Sequence, residues 1–252
     1  MKIDILASGS AGNCIAITVG EKTILIDAGI AKTKIEKALM NVNIRPDQVE
    51  AVFITHAHGD HVKGLPFANK YGIPVYAGAD EWESIKSVDD DLKCSAFKEN
   101  GVYESFMFDM GEMAVIPFGV HHDAREPLGY KVLAGNKQVS ICLDTGHVDA
   151  AMLSAMADSD IYVIESNHEP RMVEASSYPN SVKARIISHI GHLSNHQTAE
   201  ALSKLVQGNG EQIYLVHLSD KNNMPALAAM TVKRELLKKG LTVGKHYELE
   251  VV

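Results

Sequence analysis

The sequence contains little cysteine and no long apolar run. Its three cysteines, Cys14, Cys94 and Cys142, form no Cys-x-x-Cys pair, and their odd number predicts a reducing compartment with buried, inert thiols. No stretch approaches the ~20 consecutive apolar residues that a membrane-spanning helix needs. The first residues also lack a signal-peptide pattern, since a short alternating strand leads directly into a glycine loop at 8–13. These absences predict a soluble protein of the cytoplasm with no membrane partner.

Linkers, low-complexity segments and internal repeats are also absent from the 252 residues. A prior of ~150 residues per domain permits two domains, but no composition shift marks a boundary between them. The composition, 46% hydrophobic and 22% charged, is that of an ordinary globular protein. The sequence therefore predicts one domain over residues 1–252.

Positive charge is in deficit, since 24 Lys and Arg oppose 32 Asp and Glu and give a formal net charge of −8. A uniformly acidic surface does not attract polyanions, so contact with nucleic acid would need a local basic patch. Charge runs are more often solvated faces than binding sites. The candidate side chains for such a patch are Arg171, Lys183, Arg185, Lys233, Arg234, Lys238 and Lys239.

Apolar periodicity predicts strands and helices along the whole chain. The predicted strands cover residues 3–7, 14–19, 23–27, 51–55, 74–76, 113–120, 129–133, 139–143, 161–165 and 213–217. The predicted helices cover residues 32–41, 62–71, 80–87, 150–157, 196–207 and 225–239. Strands occur early and late in each half. This pattern predicts an α/β fold of two sheets packed face to face with helices outside, a four-layer αββα sandwich.

Histidine, by contrast, is abundant, and four side chains of metal-ligand type fall within six residues: His56, His58, Asp60 and His61. They directly follow a continuous apolar strand. His56 and His58 lie on the same side of an extended segment, and the next two residues, on a turn, can point toward a second ion. Metal sites need several such donors around one point, so we interpret the cluster as a metal site.

Other ligand-type residues also stand at the ends of apolar strands. Asp144 follows one of them, and a carboxylate there has two oxygens with which to bridge two ions. His217 ends another strand. His121 and His122 follow a third, and because consecutive residues on a strand point in opposite directions, we expect only one of the two to reach the metals.

The order of these motifs resembles the metallo-β-lactamase superfamily. The resemblance is closer to one branch, the YycJ/WalJ-type hydrolases of bacteria, and it covers essentially the whole chain. The segments that carry it are LASGSAGN at 6–13, FGVHHDAREP at 118–127, DTG at 144–146, ESNH at 165–168, GHLSN at 191–195 and HLSDKNNM at 217–224.

The resemblance implies the four-layer αββα metallo-β-lactamase sandwich and two divalent metal ions, Zn²⁺ or Mn²⁺. The ligands of the first ion would be His56, His58 and His122, because the family's ligand is the histidine directly before Asp123. The ligands of the second would be Asp60, His61 and His217. Asp144 would bridge the two ions.

The resemblance also implies catalytic residues. Glu165 and His192 lie in motifs similar to those of the related RNase Z enzymes, where such a histidine lies beside the scissile phosphate and is held by an acidic partner. Asp60 would orient the nucleophile as well as bind metal. The nucleophile would be a hydroxide shared by the two metals, which exists at neutral pH because metal binding lowers the pKa of water.

Some polar residues keep two interpretations. His168 is either a substrate contact or structural, and His147 is ambiguous. The glycine loop at 8–13 either presents N–H groups to an anion or is a plain tight turn. His121 is expected beside the ligands or the substrate. The histidines expected to be structural or solvated are His189, His196 and His246.

The function that the resemblance implies is a phosphodiesterase, and most closely a 5′-exonuclease acting on duplex DNA. A cyclic-nucleotide phosphodiesterase that degrades a signalling or defence nucleotide is the alternative, since the net charge of −8 and the compact size favour a small substrate. Only residues 123–143 separate His122 from Asp144, which leaves no room for the flexible arm of RNase Z. A thioester or lactone hydrolase would not explain Glu165 and His192. A homodimer is compatible with the superfamily.

Overall fold

The computed structural model describes residues 1–96, 98–99, 102–103, 106–107 and 113–252. The chain forms two compact units. Unit 1 comprises Met1–Pro117 and Ala124–Leu128, and unit 2 comprises Phe118–Asp123 and Gly129–Val252. The single domain over 1–252 stays a prediction. No helix in the described ranges has both the length and the apolar character to cross a bilayer.

Unit 1 is built on a mixed sheet within residues 1–96 whose strands follow one another in chain order. These strands are β1 (Lys2–Ala7), β2 (Cys14–Val19), β3 (Lys22–Ile26), β4 (Val49–Phe53), β5 (Val75–Gly78) and β6 (Lys93–Ala96). The first three pair antiparallel, and β3 to β6 pair parallel. The helices are α1 (Lys32–Asn41), α2 (Gly59–Val62) and α3 (Pro66–Tyr71). Parallel pairing places the carboxyl ends of β3 and β4 at one edge of the sheet.

Aliphatic side chains hold unit 1 together. Leu25 and Val52 in adjacent strands are fully buried, and α1 buries Ile35 and Leu39, which lie one helical turn apart. Burial of one such side chain contributes about 1.5–3 kcal/mol. The core therefore fixes β3 and β4 firmly, and with them the segments that follow their ends.

Short strands and one long strand follow β6. They are β7 (Lys98–Glu99), β8 (Val102–Tyr103), β9 (Phe106–Met107) and β10 (Met113–Gly119). The β7 strand pairs antiparallel with β8, and β9 pairs antiparallel with β10.

Unit 2 contains a second mixed sheet, in which β11, β12, β13, β14 and β15 are neighbours in that order. Their bounds are Leu128–Ala134, Lys137–Cys142, Ile161–Glu165, Glu211–Val216 and Tyr247–Val251. The first pair is antiparallel and the others are parallel. The helices are α4 (Ala150–Met156), α5 (Pro170–Ala175), α6 (Asn180–Ile186), α7 (Asn195–Leu205) and α8 (Pro225–Leu237).

The start of α7 is fixed by a capping box. The Ser194 hydroxyl accepts a hydrogen bond from the Gln197 backbone, and the Gln197 side chain accepts one from the Ser194 backbone at 2.9 Å. Buried Ala199 and Leu202 of α7 belong to the same apolar cluster as Val232 of α8. The cap therefore sets where the chain leaves the His192 segment and enters the core.

Two predicted helices are wrong in form. In place of the one helix predicted over 62–71, the structure has two short helices, because Pro66 begins the first turn of a new helix. Gly64, between them, packs closely on another segment: a Cβ there would meet the Ile30 carbonyl oxygen at 2.1 Å. The helix predicted over 80–87 is a 3₁₀ turn at Ala79–Glu83. There the buried Glu81 carboxylate accepts from the Ala57 and Glu126 backbone N–H groups at 2.8 and 2.7 Å.

The other predicted helices and strands are present, within a few residues at their ends. Several elements were not predicted: β6, β7, β8, β9, β15, α5 and α6.

Candidate metal centre

The segment after β4 carries four of the predicted ligands in unit 1. The ring centroids of His56 and His58 are 4.5 Å apart, and those of His56 and His61 are 4.1 Å apart. Asp60 Oδ2 lies 3.7 Å from His61 Nε2. His56 and His61 are buried, whereas His58 and Asp60 are partly exposed. The turn therefore gathers three imidazoles and one carboxylate in a small volume.

Asp27, at the end of β3, orients His61. Its Oδ2 lies 2.7 Å from His61 Nδ1, and the carboxylate also accepts from the Thr55 backbone N–H at 2.8 Å and the Thr55 hydroxyl at 2.9 Å. With Nδ1–H donated to Asp27, His61 keeps its lone pair on Nε2, which is the tautomer that a metal-bound histidine needs. Burial raises the pKa of Asp27, and His61 and Thr55 oppose the rise.

Asp27 is absent from the predicted site residues, although it ends an apolar strand as Asp144 does. That position was the signal that could have identified it. Its contact with His61 joins the segments that follow two neighbouring strands, β3 and β4, and the pairing of these strands brings the two side chains together.

The glycine loop at 8–13 packs on the ligand-bearing turn of unit 1. The Asn13 backbone N–H donates to the Asp60 carbonyl at 2.8 Å, and Gly29 N–H donates to the Asn13 carbonyl at 2.7 Å. The Asn13 side chain accepts from Gly9 N–H at 3.0 Å and places Nδ2 3.1 Å from His61 Nε2. A Cβ at Gly29 would meet the Asp60 carbonyl oxygen at 1.7 Å. These contacts favour the tight-turn interpretation, in which the loop supports the ligands.

Unit 2 brings a second set of predicted residues together: Asp144, Glu165, His192 and His217. Their ligand-type atoms all lie within 4.8 Å of one another. Three of them stand at the carboxyl ends of β12, β13 and β14, which are adjacent parallel strands, so their side chains meet at one edge of the sheet. Glu165 Oε1 lies 2.7 Å from His192 Nδ1 and 2.9 Å from His217 Nδ1.

The Glu165–His192 pair is stabilised in its charged form. Burial alone would raise the pKa of Glu165, but the charge and hydrogen bond of His192, with the hydrogen bond of His217, outweigh it and lower the pKa to about 2. Burial would lower the pKa of His192, but Glu165 and Asp144 raise it above its ordinary value. The pair therefore favours an imidazolium whose Nδ1–H is held by a carboxylate.

His122 and His121 in unit 2 have different partners. His122 Nδ1 lies 3.0 Å from the Gly191 carbonyl oxygen, and its Nε2 lies 3.6 Å from Asp144 Oδ2. Burial lowers the pKa of His122, which favours the neutral form that binds metals. His121 Nε2 instead lies 2.9 Å from Asp149 Oδ2. Of the two, His122 is the histidine that lies beside another predicted ligand.

The histidines with two interpretations fall in distinct surroundings. The His147 ring stacks on His121 at 4.0 Å, and its Nδ1 lies 2.9 Å from the His189 carbonyl oxygen. His168 is buried, burial lowers its pKa to about 4, and its Nδ1 has no hydrogen-bond partner within the described part of the chain. Two histidines expected to be structural or solvated lie as follows: the His246 Nδ1 accepts from the Thr242 backbone N–H, and His196 is exposed.

A buried amide network supports the second set from behind. Asn195 Nδ2 donates to Asn223 Oδ1 and Ser166 Oγ donates to Asn195 Oδ1, both at 2.8 Å. Asn167 Nδ2 donates to the His217 carbonyl at 2.9 Å. In the sequence, these residues stand out only as members of the motifs that resemble the YycJ/WalJ-type hydrolases. They tie together the segments that carry Glu165, His192 and His217.

The donors fit divalent metal ions. His61, His122 and His217 each have Nδ1 beside an acceptor, namely the Asp27 carboxylate, the Gly191 carbonyl and the Glu165 carboxylate. An acceptor on the second nitrogen is the usual arrangement around a metal-bound histidine. No cysteine belongs to the clusters of metal-ligand type among the described residues, and burial raises the pKa of Cys14 and Cys142. Nitrogen and oxygen donors of this kind suit divalent cations such as zinc.

The sequence matches one protein-family model and is similar over nearly its whole length to two exodeoxyribonucleases. A model of the family described as Beta-lactamase superfamily domain matches residues 22–218. Exodeoxyribonuclease YycJ of Bacillus anthracis is 34% identical, covering 99% of this chain and 94% of that protein. Exodeoxyribonuclease WalJ of Streptococcus pneumoniae is 36% identical, covering 98% and 93%.

A solved structure supports the fold. The metallo-β-lactamase fold protein YhfI from Bacillus subtilis superposes with a TM-score of 0.72 at 15% identity, covering 99% of this chain and 95% of that one. At this identity the likeness concerns the fold alone. The predicted α/β metallo-β-lactamase fold is confirmed.

Proposed function

The chain belongs to the β-lactamase superfamily, and from this membership and its full-length similarity to exodeoxyribonucleases we propose that it is a metal-dependent exonuclease acting on duplex DNA from the 5′ end. The observation that carries the proposal is the pair formed by buried Glu165 and partly buried His192, beside Asp144 and His217. This arrangement combines metal-ligand donors with an imidazole whose Nδ1 is held by a carboxylate. A metal-bound nucleophile and a proton donor for the leaving oxygen each accelerate phosphodiester hydrolysis.

We propose two divalent ions, Zn²⁺ or Mn²⁺, as the cofactors. By the family pattern, the first would be bound by His56, His58 and His122. The second would be bound by Asp60, His61 and His217, with Asp144 as the shared ligand. The acceptors on Nδ1 of His61, His122 and His217 support this assignment. Such ions would lower the pKa of bound water and offset negative charge on the phosphoryl oxygens.

His192 would supply the proton for the leaving oxygen. Glu165 holds its Nδ1–H, which fixes the ring and leaves the Nε2–H for the substrate. The raised pKa of His192 keeps that proton in place until the leaving oxygen takes it. General acid catalysis of this kind contributes about 10²–10⁴-fold to the rate. Asp60 would orient the attacking water as well as bind metal.

A parallel assay on two substrates tests the proposal. The protein, loaded with Mn²⁺ or Zn²⁺, is given 5′-labelled duplex DNA and, separately, a panel of cyclic mononucleotides. We expect release of nucleotides from DNA, loss of that activity in an Asp60→Ala, His61→Ala double variant, and retention in His246→Ala, whose ring bonds to Thr242. Turnover of a cyclic nucleotide with DNA left intact would refute the exonuclease and establish the alternative.

Two further expectations stay predictions. Action in the cytoplasm and assembly as a homodimer are each compatible with the family. Fractionation of cells and light scattering of the metal-loaded protein would test them.

A further inference from the structure

A groove of about 750 Å³ lies on unit 2, lined by the starts of α5 and α7 and by one face of α8. Leu227, Met230, Arg234 and Lys238 lie on the α8 wall, and their spacing of three or four residues places them on a single helical face. Glu169, Arg171 and His196, at the starts of α5 and α7, also line the groove. The groove therefore combines apolar and charged side chains.

Arg171 and Arg234 give the groove its chemistry. Lys238 pairs with Glu235 on the same helix. Within the described ranges, neither arginine forms an ion pair, and both are exposed. A guanidinium presents a planar fork of N–H donors that fits phosphate oxygens. The guanidinium groups of Arg171 and Arg234 both line this cavity, and neither has a carboxylate partner in the described ranges.

Two residues that line the groove follow the proposed catalytic pair closely in the chain of unit 2. Glu169 and His196 on its wall come four residues after Glu165 and His192. The Glu169 N–H donates to the Asn222 carbonyl at 2.8 Å, and the Asn195 N–H donates to the His168 carbonyl at 2.9 Å. The first bond ties Glu169 to the segment that follows His217, and the second ties together the segments that follow Glu165 and His192. The short chain separation places the groove within reach of a polymer held at His192 in unit 2, which is the geometry that the proposal below requires.

We propose that this groove binds the DNA backbone beyond the scissile bond, with Arg171 and Arg234 each contacting a phosphate. Leu227 and Met230 then face the sugars, since Met230 is 65% exposed and offers apolar surface to a ligand. The inference rests on the proposed function, because it names the surface that holds the same substrate.

Charge complementarity favours DNA as the occupant. The whole chain carries a formal charge of −8, so a polyanion needs a local basic surface. Glu169 and Glu235 also line the groove, which limits the attraction to a few phosphates. Two phosphate contacts suit a substrate that must move after each cleavage. An acidic peptide would meet the same arginines, and the experiment separates the two.

The test is the salt dependence of DNA binding, measured in a His192→Ala background so that the DNA stays intact. An Arg171→Gln, Arg234→Gln double variant is compared with a Lys34→Gln, Lys37→Gln control, which removes the same charge from exposed positions of α1. Each lost phosphate contact reduces the slope of log K against log salt by about 0.7–0.9. We expect a reduction of about 1.4–1.8 for the arginine variant and none for the control.

Three results would overturn the groove proposal. One is an unchanged slope in the arginine variant, and another is an equal change in the control. The third is binding of a poly-glutamate peptide that depends on both arginines while DNA binding does not. Thermal unfolding and metal content of both variants verify folding. If wild-type protein degrades DNA and the slopes are equal, only the groove fails. If wild-type protein neither binds nor degrades DNA, the proposed function itself fails.

Discussion

Replacing Asp27 by asparagine should change the tautomer of a proposed metal ligand while the backbone stays as it is. Asp27 has a φ of 61°, and asparagine is one of the few residues that tolerate this left-handed region. The Thr55 backbone N–H, 2.8 Å from Oδ1, would hold the amide oxygen in the same place. The amide NH₂ would then face His61 Nδ1. His61 would accept there and carry its hydrogen on Nε2, the nitrogen that metal binding requires.

The expected magnitude follows from the loss of this acceptor. Removing the partner behind a metal-bound histidine typically costs about 10–100-fold in metal affinity. The metal-free protein should lose about 1–3 kcal/mol of unfolding free energy, because a buried hydrogen-bond pairing must rearrange. Competition with a chelator measures the first quantity, and urea unfolding of the metal-free protein measures the second.

Asp149→Asn is the matched control for this substitution. Asp149 also pairs with a histidine, His121, but that histidine is outside the proposed ligand set. Asp149 caps α4 by accepting from the Met152 N–H at 2.8 Å, and asparagine caps helices equally well. Metal affinity should therefore stay within about twofold of wild type. Equal losses in the two variants, or none with Asp27→Asn, would refute the reasoning.

Three further predictions concern Glu165 and its supports. Glu165→Gln should lower the pKa of His192, so the alkaline limb of the pH–rate profile, where the required proton is lost, should move to lower pH; an unmoved limb would contradict the assigned role. The pKa of Glu165 is lowered to about 2, so the contribution of this carboxylate to stability is full above its ordinary pKa and is lost as the pH falls toward about 2. In urea unfolding of the metal-free protein, Glu165→Gln should therefore lose less stability with acid than wild type does. Asn195→Ala should cost about 1–3 kcal/mol, because Ser166 and Asn223 lose buried partners, whereas the exposed Asn209→Ala should cost under about 0.5 kcal/mol.

The sequence predicts the strands and the residues at their ends because both signals are local. An apolar run followed at once by His56 or Asp144 needs no knowledge of distant residues. Most strands in the sheets of both units were predicted on this basis. The α/β class followed from their alternation with helical periodicity.

Contacts between distant segments could not be predicted in the same way. The 3₁₀ turn at Ala79–Glu83 exists because Glu81 binds backbone groups at Ala57 and Glu126. The support of His61 by Asp27 depends on the register between β3 and β4. Residues 174–190, which include α6, have no buried side chain, so apolar periodicity carries no signal there. Such features depend on tertiary packing, which a linear pattern does not contain.

The left-handed backbone of His217, with a φ of 55°, has a consequence for evolution and for engineering. A non-glycine residue in this region costs of order 1–3 kcal/mol, and glycine or asparagine would relieve it. Selection for thermal stability alone would therefore favour replacing the histidine, and a screen that scores only folding would discard a proposed metal ligand while reporting an improvement. If related sequences that have diverged at other positions still carry histidine at position 217, selection acts on catalysis there.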